Sequence, residues 1–154
     1  AMEFGLPRAV RHFIEAHHGT TLVEYFYHRA KERALAAAQA EDAEIDEAAA
    51  DLSAGDMPDE VEYRYGGPKP QTKEVAILMI ADAVESATRS LPEPTPARID
   101  ALVRDLANKR LMDGQFDDCE LTLRELNIIC ESIARTVTSI FHGRIAYPTE
   151  RARA

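Results

Sequence analysis

Apolar residues in this chain recur at intervals of three and four, the spacing of a single helix face. Residues 6–19, LPRAVRHFIEAHHG, put Val10, Phe13, Ile14 and His17 on one face, with Pro7 suited to the first turn and Gly19 to the stop. Thr21 and Glu24 have capping-box spacing, so a second helix is predicted with Leu22, Phe26, Arg29 and Ala30 on its stripe, running on through the alanines. Residues 34–60 are rich in Ala, Glu and Asp, and Ile45 and Leu52 are almost the only anchors there. That pattern predicts a poorly packed insert. Residues 63–74, YRYGGPKPQTKE, are turn material. A strong helix is predicted over 71–91 and ends before Pro92. Thr95 and Pro96 open the next, with stripe Ile99, Leu102, Val103 and Leu106, and Gly114 closes it. A second capping box, Thr122 with Glu125, precedes Leu126, Ile129, Cys130, Ile133, Val137, Ile140 and Phe141 at a 3.6 period. The expectation is an all-α domain of five or six helices, with no convincing strand and no internal repeat.

Composition agrees with helix. The chain has 154 residues, 45% of them hydrophobic, with no Trp and many Ala, Leu, Glu and Arg. That is one domain's worth of chain. The formal charge of -9 is local. Ten acidic residues and no Lys or Arg lie between Glu41 and Glu62, and elsewhere 18 basic side chains face 17 acidic ones. This balance argues against a nucleic-acid polymer as partner but leaves room for a small phosphate-bearing ligand. Cys119 and Cys130 have no CxxC spacing, which suits a reducing compartment. No apolar run approaches the roughly 18 residues a membrane span needs, and no signal peptide is visible. The opening Ala1-Met2 followed at once by a helix suggests a piece of a longer protein.

Two features carry possible chemistry. His17 and His18 are adjacent, and neighbouring residues on a helix point about 100° apart. Such a pair serves two neighbouring ions, or one ion and a substrate, better than one ion together. The bland alternative is a pair of histidines resting at a helix C-terminus. Asp82 stands in VAILMIADAVESA, with Val75, Leu78 and Met79 at offsets that put it on the face expected to be buried. A buried carboxylate is costly unless it is paired or metal-bound. Its bland alternative is a boundary position paired with Arg89. The GGPKPQTK stretch could offer backbone N–H groups and Lys69 or Lys73 to a phosphate, but it lacks P-loop spacing and reads equally well as a rigid connector. His12, His28 and His142 read as structural or exposed.

HHGTTLVEYFYHRAKE, YGGPKPQTKEVAILMIADAVESATRSL, DGQFDDCELTLRELNII and RIAYP occur in that order. Together they resemble the C-terminal part of the cytoplasmic HD domain in the seven-transmembrane HD phosphohydrolase family of bacteria. The resemblance covers nearly the whole chain outside an acidic, Ala-rich insertion at about 35–60. It departs at Gly66, where the family usually has proline, and at Gly143, where it tends to have serine.

The resemblance implies that residues 1–154 are the C-terminal portion of an all-α HD-domain-like bundle. It implies a divalent metal pair, Mn or Fe, and hydrolysis of a cyclic dinucleotide such as cyclic di-AMP to a linear product. His17, His18 and Asp82 match three of the family's metal ligands, and Thr20, Lys69 and Arg89 are the residues it suggests for substrate binding. Two metals roughly 3.5–4 Å apart would polarise the phosphoryl oxygens. The family's earlier ligands, including the His-Asp pair that names it, all precede the adjacent histidines. Here sixteen residues precede His17 and no HD dipeptide occurs. The chain alone is therefore expected to be inactive, with metal loading not assured, and to be the soluble portion of a cytoplasmic domain from a bacterial inner-membrane protein, touching membrane only through segments outside it. Apolar surface left uncovered would favour a homo-oligomer. The alternative function is a non-catalytic helical module that binds a nucleotide or a protein, and a third reading is a purely structural bundle.

Overall fold

The computed structural model describes residues 4–42 and 57–142. It contains five α-helices: α1 (Arg8–Ala16), α2 (Glu24–Asp42), α3 (Lys73–Arg89), α4 (Pro96–Met112) and α5 (Leu123–His142), with a 3-10 turn at Glu60–Tyr63. Most of the expected insert, with Ile45 and Leu52, lies outside the described residues. Residues 35–42 of it continue α2.

The core is built by α3, α4 and α5. Ala76, Met79, Ile80 and Val84 of α3 meet Ile99, Val103 and Ala107 of α4 and Leu126, Cys130 and Ala134 of α5, and Phe116 closes the cluster from the α4–α5 connection. The expected stripes of α4 and α5 are the faces that pack, except that Ile140 is exposed. Local signals set the helix starts. Thr72 caps α3 by accepting from the Val75 N–H, and Thr95 caps α4 by accepting from the Arg98 N–H. At α5 the capping box is complete: Thr122 donates from its N–H (2.9 Å) and hydroxyl (2.8 Å) to Glu125, and its hydroxyl accepts from the Glu125 N–H at 3.2 Å.

Three expectations are corrected. Thr21 does not cap α2. Its hydroxyl donates back to the His18 carbonyl at 2.8 Å, and α2 begins only at Glu24. The reason is that residues 21–23 are drawn into an antiparallel pairing with 63–65. Leu22 bridges Arg64, the Val23 N–H donates to the Tyr63 carbonyl (2.8 Å) and the Tyr65 N–H to the Thr21 carbonyl (3.0 Å). Those bonds fix the backbone as extended where a capping turn was predicted. The second correction is Asp82, which is exposed, as is Leu78. Helix α3 buries Val75, Ala76, Met79, Ile80 and Val84, so the Leu78–Asp82 line is rotated off the packed face. Asp82 is not held by Arg89 either, because Arg89 donates to Glu85 one turn away. Third, the predicted stripe of α1 is covered only in part among the described residues, Phe13 and His17 being half-buried. Val10 and Ile14 are exposed, and the aromatic Phe26 of α2 is exposed as well.

Helix α1 lies against α3. Gly19, just past its end, has φ +55°, the left-handed region that glycine enters without strain. A Cβ there would sit 2.4 Å from Gln115 Oε1 and 2.8 Å from Met79 Cε. Gly67 is similarly constrained, since a Cβ would sit 2.5 Å from the Glu15 carbonyl oxygen and 3.2 Å from that of Gly19. The GGPKP stretch is thus a connector laid backbone-to-backbone on the end of α1. Lys73, the first residue of α3, pairs with Glu125 of α5. Lys73 and the Thr122 groups hold the Glu125 carboxyl down at about 2, from an ordinary 4.5.

Two outcomes are expected. Gly19→Ala combines left-handed strain with overpacking and should lower unfolding free energy by about 2–4 kcal/mol in urea titration. A folded-state pKa held below the unfolded one stabilises above the unfolded value and is lost as pH falls through the folded value. Melting temperature should therefore fall between about pH 4.5 and pH 2, and Glu125→Gln should flatten that part of the profile.

Candidate functional site

The adjacent histidines do not diverge as a continuous helix would make them. Helix α1 ends at Ala16, His17 is its C-cap residue, and the chain turns through His18 and Gly19. The two imidazoles lie with ring centroids 4.0 Å apart, tilted by 36°. His17 Nδ1 is 2.8 Å from the Phe13 carbonyl oxygen and 3.1 Å from that of Ile14. A carbonyl accepts only, so Nδ1 carries a proton and donates to them. A ring nitrogen tied to backbone in this way is how metal-binding histidines are commonly oriented.

The His18 ring is stacked on Tyr65, with centroids 4.4 Å apart and planes within 13°. Burial pushes the His18 pKa below 6.5, and His17 pushes the same way. The Asp82 carboxylate pulls it back up, and the Arg110 charge lowers it again. His18 is thus a neutral imidazole at pH 7, in the field of Asp82. Asp82 reaches this field from the exposed side of α3.

A polar cluster holds the turn in place. Gln115 is fully buried. Its Oε1 accepts from the Thr20 N–H at 3.0 Å, and its Nε2 donates to Thr20 Oγ1 (3.0 Å) and to Asp113 (2.9 Å). Arg64 donates to both oxygens of Asp113 (2.8 and 3.1 Å), to Glu60, and to the Thr20 carbonyl at 2.9 Å. The Arg64 hydrogen bonds hold the Asp113 carboxyl below the ordinary range, against the opposing effect of burial. The 63–65 segment therefore acts twice, through the Tyr65 ring and the Arg64 guanidinium.

Of the residues singled out from sequence, His17 and His18 come together, Asp82 is linked to them only through its charge at His18, and Thr20 follows in the turn with its polar atoms engaged by Gln115. Lys69 reaches Asp117 at 3.1 Å. Arg89 stands seven residues beyond Asp82, about 10 Å along the helix, with its ion pair to Glu85. Among the described residues no three His, Cys, Asp or Glu side chains gather closely enough to hold a metal ion. No described helix is long and apolar enough to cross a membrane. Tyr65, Arg64 and Gln115 were not legible as site residues. Gln115 meets Thr20 across 95 positions, and no local pattern announces such a contact.

No protein-family model matches the chain. It is 41% identical over 145 residues to the cyclic-di-AMP phosphodiesterase PgpH of Bacillus subtilis, covering 94% of this chain. It is 39% identical over 148 residues to the PgpH of Listeria monocytogenes, covering 95%. The crystal structure of the L. monocytogenes PgpH HD domain superposes with a TM-score of 0.72 at 38% identity, over 92% of this chain. The chain is thus similar, in sequence and in fold, to part of that HD domain. A second structure of that L. monocytogenes domain, in complex with cyclic-di-AMP, matches with a TM-score of 0.71 at 37% identity. The chain spans 17% of the length of each of these curated relatives. It spans 56% and 55% of the two solved HD-domain chains. The all-α fold and the HD-domain resemblance drawn from the ordered motifs both stand.

Gln115→Leu keeps the volume and removes the amide. It should cost about 1–3 kcal/mol of stability in chemical denaturation. It should also disperse the ring-current shifts of Tyr65 on His18 in proton NMR spectra. A variant whose His18 resonances do not move would disprove the bracing role.

Proposed function

We propose that this chain supplies part of the active site of a metal-dependent HD phosphodiesterase acting on cyclic di-AMP. The observation that carries the reading is the convergence of His17 and His18 within 4.0 Å, with Asp82 in the field of His18, in a chain homologous to cyclic-di-AMP phosphodiesterases.

The donor set fits divalent metal in chemistry and falls short in number. Two imidazoles and an accessible carboxylate are the ligand types that Mn and Fe accept. Three such groups do not gather into one closed site among the described residues, so the reading requires further ligands from outside them. His17 and His18 would hold the metals through their free ring nitrogens, and Asp82 through its carboxylate. The metals, when bound, would supply Lewis acidity toward the phosphoryl group. The chain's own part is orientation. The Phe13 and Ile14 carbonyls set the His17 tautomer, Tyr65 sets the plane of His18, and Gln115 with Arg64 fixes the turn between them. Lys69 and Thr20 are the proposed contacts to substrate, while Arg89 lies further along α3. The exposed Val10–Ile14 face of α1 is the surface available to the rest of the domain or to a second copy.

The incomplete ligand set favours one alternative, a non-catalytic module that binds the nucleotide without cleaving it. The two readings separate in a polypeptide extended to the length of the solved PgpH HD domain. It should bind close to two Mn²⁺ per chain and convert cyclic di-AMP to the linear product, with His18→Ala reducing turnover by at least about 100-fold. The 154-residue chain alone should show no turnover. Binding without hydrolysis by the extended domain would favour the alternative.

A further inference from the structure

The two adjacent histidines are held by different devices. His17 is tied to backbone, with Nδ1 at 2.8 Å from the Phe13 carbonyl oxygen and 3.1 Å from that of Ile14. His18 has no such tie. Only its carbonyl is used, by the Thr21 N–H at 3.2 Å and the Thr21 hydroxyl at 2.8 Å. Among the described residues its ring nitrogens make no hydrogen bond and no ion pair. Neither nitrogen is buried without a partner, so the nitrogen-bearing edge of the half-buried His18 ring reaches solvent.

What holds this ring is aromatic. The His17 centroid lies 4.0 Å from it with a tilt of 36°, and the Tyr65 centroid lies 4.4 Å from it within 13° of parallel. Among the described residues Tyr65 and His17 make no ring contact with each other. Two rings stacked this closely on one face of an imidazole would meet, so they cover opposite faces. Stacking of this kind fixes the plane of a ring without occupying its nitrogens. The Tyr65 ring is delivered by backbone rather than by its own packing. The Tyr65 N–H donates to the Thr21 carbonyl at 3.0 Å, the Tyr63 carbonyl accepts from the Val23 N–H at 2.8 Å, and Arg64 between them grips Asp113 and the Thr20 carbonyl. Truncating the ring leaves those bonds in place.

We infer that Tyr65 is a positioning residue for one metal ion of the pair and not for the other, its ring keeping the open edge of His18 turned toward the ion that His18 holds. The ion on His17 is served by an imidazole locked to backbone carbonyls. This rests on the metal-dependent phosphodiesterase reading and deepens it, because the two metal positions become separable by a change that touches no ligand.

The test uses Mn²⁺ titration of the extended domain. Tyr65→Ala should weaken one of the two ions by about 10–100-fold, the usual effect of losing a group that orients a ligand, and leave the other at its unmodified affinity. Tyr65→Phe keeps the ring and should bind both ions as the unmodified domain does. Turnover of cyclic di-AMP by the alanine variant should fall at limiting Mn²⁺ and recover as Mn²⁺ is raised, a recovery that general loss of structure would not give. Tyr63→Ala removes the neighbouring ring, which packs on Tyr27, and should leave both affinities unaltered. Tyr65→Leu, with apolar bulk but no flat face, should show the same single loss and decides the matter if the alanine variant does not fold. Unmodified affinities in the alanine and leucine variants, or both ions weakened together, would overturn the inference and leave the phosphodiesterase reading standing, as would loss of the ion in Tyr65→Phe. Absence of Mn²⁺ binding by the unmodified domain would remove both.

Discussion

The absence of a side chain at Gly19 governs this structure. The end of α1, the Pro70 ring, Met79 of the core and the Gln115 amide converge on one point, and a methyl group there would overlap the amide oxygen. Because the space is empty, α1 can stop, turn through the left-handed region and be gripped at once by Gln115. His17 and His18 immediately precede that turn. Their rings lie side by side because the helix ends between Ala16 and Gly19, and a continuous helix would have sent them to different faces.

The turn is fixed from two sides by groups distant in sequence. Residues 63–65 pair with 21–23, bringing the Tyr65 ring onto His18 and Arg64 onto the Thr20 carbonyl. The α4–α5 connection brings Asp113 and Gln115. The cluster uses up its own charges, as Arg64 answers Asp113 and Glu60. Asp82 stands outside this cluster, exposed on α3.

Much of this was legible in the sequence. Helical periodicity located α3, α4 and α5, whose stripes pack on one another, and the Thr122–Glu125 box is formed as spaced. His17, His18 and Asp82 were singled out through ordered motifs, and the spacing argument for Asp82 misplaced it on the buried face. A helix of mostly apolar residues has more than one candidate inner face, and which one is buried depends on where α4 and α1 lie. Thr21 misled for a related reason. Its capping geometry is locally sound, but pairing with 63–65 claims the backbone first. Gln115 and Tyr65 were not legible because their meaning lies in contacts across the fold.

The central claim is that the His17–His18 turn and Asp82 together face bound metal. Anomalous scattering from crystals of the extended domain grown with Mn²⁺ tests it directly. The account predicts manganese peaks at ordinary coordination distance, about 2 Å, from the His17, His18 and Asp82 donor atoms. Manganese located elsewhere in the domain, with these three side chains uncoordinated, would contradict it.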